Sequence, residues 1–117
     1  MKKATVRAGI VGSGFAASLH IAAMTRVFGT NVEVVGVYSP TRANAEKFAA
    51  THALPVADGL DALLDAVDVV HVCAPPAVHE AVAVAALARD KFAIVEKPLT
   101  GSFGDGADGF DGRTAPR

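Results

Sequence analysis

Short, nearly unbroken apolar runs alternate along this chain with alanine-rich stretches whose apolar positions recur at helical spacing. The runs are Val6–Val11, Val32–Tyr38, a short one at Pro55–Ala57, Asp68–Ala74 and Phe92–Glu96. Runs of this length without polar alternation predict strands covered on both faces. Between the first two, Ala17, Ile21, Met24 and Phe28 fall on one side of a predicted helix and form its buried stripe. Ser39-Pro40 supplies a cap and first residue for a second helix to about Thr51, and Asp58 caps a short third one holding Leu60, Leu63 and Leu64. Pro75-Pro76 stops the fourth strand and opens an Ala/Val helix ending near Arg89. Such alternation predicts an α/β domain over residues 1–100, a doubly wound, Rossmann-like parallel sheet of about five strands.

From Gly101 the periodicity stops. Residues 101–117 are crowded with turn formers and predict a loop or frayed tail. Asp105, Asp108 and Asp111 each precede a glycine, but they stand three apart with no glutamate after them, whereas a calcium loop needs ligands at alternate positions and a distal glutamate. Turns are the simpler reading, and no metal is expected.

A length of 117 residues sets a ceiling of one domain. With 11 basic and 12 acidic residues spread along the chain, there is no electrostatic footprint for nucleic acid or anionic lipid, so the expected partner is a small molecule. One cysteine, Cys73, allows no internal disulfide and points to a reducing compartment. Arg7 interrupts what might otherwise start a signal peptide, and the longest apolar run, Ala81 to Ala88, is too short to span a bilayer. A cytoplasmic location is the expectation.

Two motifs carry chemistry. Gly12-Ser13-Gly14-Phe15-Ala16-Ala17 follows a predicted strand and opens a predicted helix, which is the context a dinucleotide fingerprint requires. Gly12 makes the tight turn, Gly14 lets backbone amides approach a pyrophosphate, and Ala17 is small enough for close helix packing. The acid that normally follows about twenty residues on, to bind the adenine ribose, is absent. In its place stand Ser39, Thr41 and Arg42, hydroxyls and a guanidinium that suit a 2′-phosphate, so NADP is favoured over NAD. The second motif is Glu96-Lys97-Pro98, closing the last strand.

Together, A-G-I-V-G-S-G-F, V-V-H-V-C-A-P-P-A-V-H and I-V-E-K-P-L make residues 5–104 resemble the N-terminal domain of the Gfo/Idh/MocA oxidoreductases. The resemblance implies that Gly12, Ser13, Gly14 and Phe15 hold the pyrophosphate. The Ala74-Pro75-Pro76 turn would border the nucleotide, although Pro76 or Ala77 stands where family members often carry an asparagine. It implies further that Glu96 contacts the nicotinamide ribose region and that Lys97, the catalytic candidate, reaches a substrate hydroxyl. An ammonium there can orient the oxygen, stabilise developing negative charge and join the proton relay. Pro98 fixes the backbone where that side chain must be aimed. His79, at the start of a helix, is either a cofactor-site residue or a plain helix-start residue, and His20 either faces the cleft or is structural.

The implied activity is hydride transfer between NAD or NADP and a sugar, polyol or related hydroxyl compound; a non-catalytic nucleotide sensor or partner module is the alternative. Family members continue into a larger substrate domain that is absent here. The expectation is therefore a truncated chain, inactive alone and prone to self-association through an uncovered sheet.

Overall fold

A computed structural model describes residues 3–98; the predicted tail from Gly101 and its three Asp-Gly pairs lie outside the described residues. Four strands, β1 (Thr5–Val11), β2 (Asn31–Tyr38), β3 (Val69–Val72) and β4 (Phe92–Val95), form one sheet in the order β2-β1-β3-β4. Every pair is parallel. Parallel neighbours require crossovers, and four helices provide them: α1 (Phe15–Met24), α2 (Arg42–His52), α3 (Leu60–Ala66) and α4 (His79–Ala88), the last preceded by a 3₁₀ turn at Pro76–Val78.

Successive residues of a strand point to opposite faces, and the strands divide their apolar side chains accordingly. Ala8, Ile10, Val37 and Val69 pack with Ala17 and Met24 of α1 and Phe48 of α2. Val11, Val70 and Val72 pack on the other face with Leu63 and Leu64 of α3 and Val82 and Ala86 of α4. Each fully buried Ile, Leu or Val of these layers contributes about 1.5–3 kcal/mol relative to an exposed one. β4 is covered on one face only. Ala93 and Val95 pack on the α3/α4 layer, whereas Phe92 and Ile94 are exposed.

At the amino ends of β1 and β3, Asp68 accepts from both the backbone N–H (2.8 Å) and the guanidinium (3.1 Å) of Arg7. Those hydrogen bonds hold the Asp68 carboxyl below the usual range.

Four predicted features differ. The strand at Pro55–Ala57 is reduced to a single parallel bridge, Val37 to Val56. Val37 N–H donates to the Pro55 carbonyl and Ala57 N–H to the Val37 carbonyl. Proline has no N–H to donate, and three residues before Asp58-Gly59 leave no length for a ladder. α1 ends at Met24, where Thr25 and Arg26 close onto the carbonyls of Ile21 and Ala23 and Gly29 at φ +84° turns the chain. Phe28 therefore lies beyond the helix and is 92 % exposed, so it is no part of a buried stripe. α2 starts after Thr41 rather than Ser39, because the Ser39 hydroxyl accepts from Thr41 N–H before the helix begins. α3 begins from Gly59, one residue past the predicted cap Asp58.

Candidate cofactor site

The loop after β1 is fixed from two sides. Gly12 N–H donates to the Tyr38 carbonyl at the end of β2, and Cys73 N–H donates to the Val11 carbonyl, both at 2.8 Å. Gly12 itself has φ +116°, and a Cβ there would stand 2.7 Å from the Cys73 carbonyl carbon. Only glycine combines that conformation with that approach. Gly14 differs. Its φ is −95°, and a Cβ would meet nothing within 4 Å. Nothing in the fold itself demands glycine at this position.

Gly14 caps α1 without a side chain, and no acidic residue stands in the first turn. Ser18 N–H closes the first helical bond on the Gly14 carbonyl, which leaves the preceding amides of the helix free of helical partners. Ala17 is completely buried beneath them. The crevice in front has a volume of about 590 Å³ and runs from Gly12–Ala16 to Ser39, Thr41 and Asn44 on one side and to Cys73–Pro75 and Val78 on the other. It lies outside the carboxyl ends of the strands, where the chain leaves β1 for one face of the sheet and β3 for the other; ligands of open α/β sheets bind at such a point. No carboxylate is among its lining residues.

Of the sequence-predicted residues, Gly12, Ser13, Gly14, Phe15, Ser39, Ala74 and Pro75 line this crevice and Ala17 lies under it. Arg42 does not line it. Its guanidinium donates to Glu46 (3.1 Å) and lines a smaller neighbouring cavity with Tyr38 and Asp58. Pro76 begins the 3₁₀ turn and is exposed, outside the lining.

His79 is buried, at 2 % exposure, as a tie between two segments. Nε2 lies 2.8 Å from the Ala74 carbonyl and Nδ1 3.0 Å from the Pro98 carbonyl. A neutral imidazole donates to one of these oxygens and an imidazolium to both. The ring thereby links the turn bordering the crevice to the segment carrying Lys97, whose side chain is exposed.

Glu96 faces a second, more open groove and accepts from His20 Nε2–H at 2.6 Å; the Nδ1 atom of His20 lies 2.8 Å from that of His71. The His20 hydrogen bond and charge, with help from Lys97, hold the Glu96 carboxyl below its usual range. Burial, and secondarily the charge of His20, lowers the His71 imidazole. Burial and the Glu96 charge push the Cys73 thiol up to about 12, so it stays protonated and non-nucleophilic.

Asn44 and His71 are absent from the sequence-derived set. Asn44 carries no signal of its own. His71 does, as the polar residue inside V-V-H-V, because a polar side chain in a buried strand needs a partner.

Residues 6–110 match the NAD-binding Rossmann fold of the oxidoreductase family known as Gfo/Idh/MocA. The chain belongs to that family. It is similar to a glucose-6-phosphate 3-dehydrogenase of Bacillus subtilis, at 35% identity over 91 residues, covering 78% of this chain and 25% of that protein. Among solved structures, it superposes on a myo-inositol dehydrogenase of Lactobacillus casei in complex with NAD(H) and myo-inositol (TM-score 0.72, 34% identity, 82% of this chain and 29% of that one). It also superposes on a biliverdin reductase of Synechocystis in complex with biliverdin and NADP+ (TM-score 0.71, 31% identity, 81% of this chain and 30% of that one). The chain thus spans between a quarter and a third of the length of these Gfo/Idh/MocA-like proteins. No helix among the described residues is long and apolar enough to cross a membrane.

Proposed function

We propose that this chain supplies the dinucleotide-binding part of an oxidoreductase that moves a hydride between NADP or NAD and a hydroxyl group of a sugar or polyol. One observation carries the reading. Gly14 is a glycine that the protein's own packing does not require, placed before free helix amides at the mouth of the crevice. A phosphate brought against those amides would occupy the space of a side chain, which accounts for the glycine. The family match and the nicotinamide complexes of the related structures support the same cofactor class.

When bound, the nicotinamide supplies the hydride acceptor. The chain's residues do the rest. The amides and dipole of α1 stabilise the pyrophosphate charge. Ser39, Thr41 and Asn44 offer polar groups to the adenosine end, and the absence of a carboxylate from that lining favours a 2′-phosphate, hence NADP. Arg42 would join them by leaving Glu46. Lys97 orients the substrate hydroxyl and stabilises the oxyanion as hydride departs, while Glu96 borders the nicotinamide ribose. The single cysteine accords with a reducing, cytoplasmic setting.

The test is thermal stabilisation by NADPH and NADH, since a ligand that binds the folded state alone raises its apparent stability. Gly14→Val should keep the fold, because its side chain meets open space, and should lose the ligand-induced shift. Equal shifts in both proteins would overturn the assignment.

A further inference from the structure

His20, His71 and Glu96 form a hydrogen-bonded chain that joins α1, β3 and the residue after β4. The two imidazoles meet edge to face, with ring centroids 5.1 Å apart. A carboxylate only accepts, so the proton on His20 Nε2 is fixed. Between the two Nδ1 atoms, 2.8 Å apart, one proton must lie. Without it two lone pairs would repel, and with two the N–H groups would collide.

With His71 kept from a positive charge by its burial, that leaves two arrangements. Either His20 is neutral and accepts from His71 Nδ1–H, or His20 is an imidazolium that donates to His71 Nδ1, and the proton of His71 sits on Nε2. Among the described residues, no buried side-chain nitrogen or oxygen lacks a partner. His71 Nε2 has no partner there, so it reaches the groove that Leu19, Ala23, Met24 and Val27 line with these three residues.

We propose that Glu96, His20 and His71 take up and release one proton as a unit, and that this unit sets the charge presented to the ring end of the nicotinamide cofactor. The second half rests on the proposed place of Glu96 beside the nicotinamide ribose. The proton balance is simple. A proton from solvent joins His71 Nε2 as the proton on its Nδ1 passes to His20 Nδ1, and no bond between heavy atoms changes. The unit goes from a net charge of −1 to zero.

The charged and titratable groups around it agree with this division. On β3, His71 is held below its usual range by burial and by His20, which keeps the positive charge on His20, against the carboxylate. After β3, Cys73 stays a neutral thiol. After β4, Lys97 helps keep Glu96 ionised. The other residues lining the groove, on and just after α1, are apolar. Raising the pH removes that one proton from the unit and leaves the Glu96 charge uncompensated, which favours the cationic oxidised ring over the neutral reduced one. One linked proton changes the ratio of the two affinities by up to about tenfold per pH unit.

Two measurements on the full chain test this. The first is a ¹⁵N NMR titration of the imidazole nitrogens without cofactor. Nδ1 and Nε2 of His71 should exchange protonated and unprotonated character at the same pH at which His20 becomes an imidazolium. A His71 that becomes an imidazolium at its own midpoint, or does not respond, overturns the proposal without any variant that could misfold. The second is the affinity for oxidised and reduced nucleotide between pH 6 and 8. Its ratio should move toward the oxidised form as pH rises, and a flat ratio overturns the link to the cofactor. If the NMR signature appears and neither nucleotide binds, the proposed function fails while the proton-sharing unit stands.

Discussion

The segments that follow β1 and β4 are built in different ways. The one after β1 is made of backbone: a left-handed glycine, the amides opening α1, and the carbonyls of Val11 and Tyr38. The one after β4 rests on side chains reaching far along the chain, with His20 joined to residues 51 and 76 positions away and His79 joined to the Ala74 and Pro98 carbonyls. A backbone site needs particular small residues at fixed spacing. A side-chain site needs partners that only the folded topology brings together.

This contrast orders the expected effects of substitution. The largest should come from Gly12→Ala, since a left-handed φ and a 2.7 Å approach to backbone leave a Cβ no room. We expect a loss of roughly 3 kcal/mol or more in denaturant unfolding. Gly14→Val, two residues on, should cost only about 1 kcal/mol, the preference of a helix cap for glycine over valine. If both glycines cost the same, the backbone segment is not divided between fold and ligand as described.

Next is His79→Leu, which removes the ring N–H donor shared out to the Ala74 and Pro98 carbonyls. A loss of about 1–3 kcal/mol is expected, with faster amide exchange in the Glu96–Lys97 segment. Unchanged exchange there would mean that the tie holds nothing.

The pH dependence should be smaller. Burial, and secondarily His20, hold the His71 imidazole below its ordinary value of 6.5 in the folded state, so below that pH the unfolded chain's His71 takes a charge that the folded one resists. Its stabilisation is complete above about pH 6.5 and is lost as the pH falls toward the lowered native value, by at most about 1.4 kcal/mol per pH unit. Melting curves should show this fall, and His71→Val should flatten it. Glu96 and Asp68, both lowered, act in the same direction nearer pH 4.

The smallest effect belongs to Arg42→Ala. The exposed Arg42–Glu46 pair contributes little, so stability should stay within about 0.5 kcal/mol. NADPH binding should weaken more than NADH binding. Equal weakening would remove Arg42 from the adenosine end.

The same contrast explains what the sequence disclosed. The cores of all four strands and the helix after Gly14 were legible, because buried parallel strands write themselves as continuous apolar runs and the glycine turn has a fixed spacing. Boundaries were less so. Ser39 carries a good cap side chain that the fold uses two residues before the helix's own cap, Thr41, and Phe28 continues a helical stripe after the helix has stopped. His20, His71 and His79 were visible as residues but not as partners, since the bonds that define them join distant elements. Arg42 stands in sequence where the ribose-binding acid is missing, but Glu46, one helical turn on, takes up its guanidinium.

The double anchoring of the loop after β1 has a kinetic consequence. A loop already held by Tyr38 and packed against Cys73 has little freedom left to surrender when a dinucleotide arrives, so encounter need not wait for it to order. Association at this end should then resemble docking onto a rigid surface, and differences between nucleotides should emerge chiefly in how long each one stays.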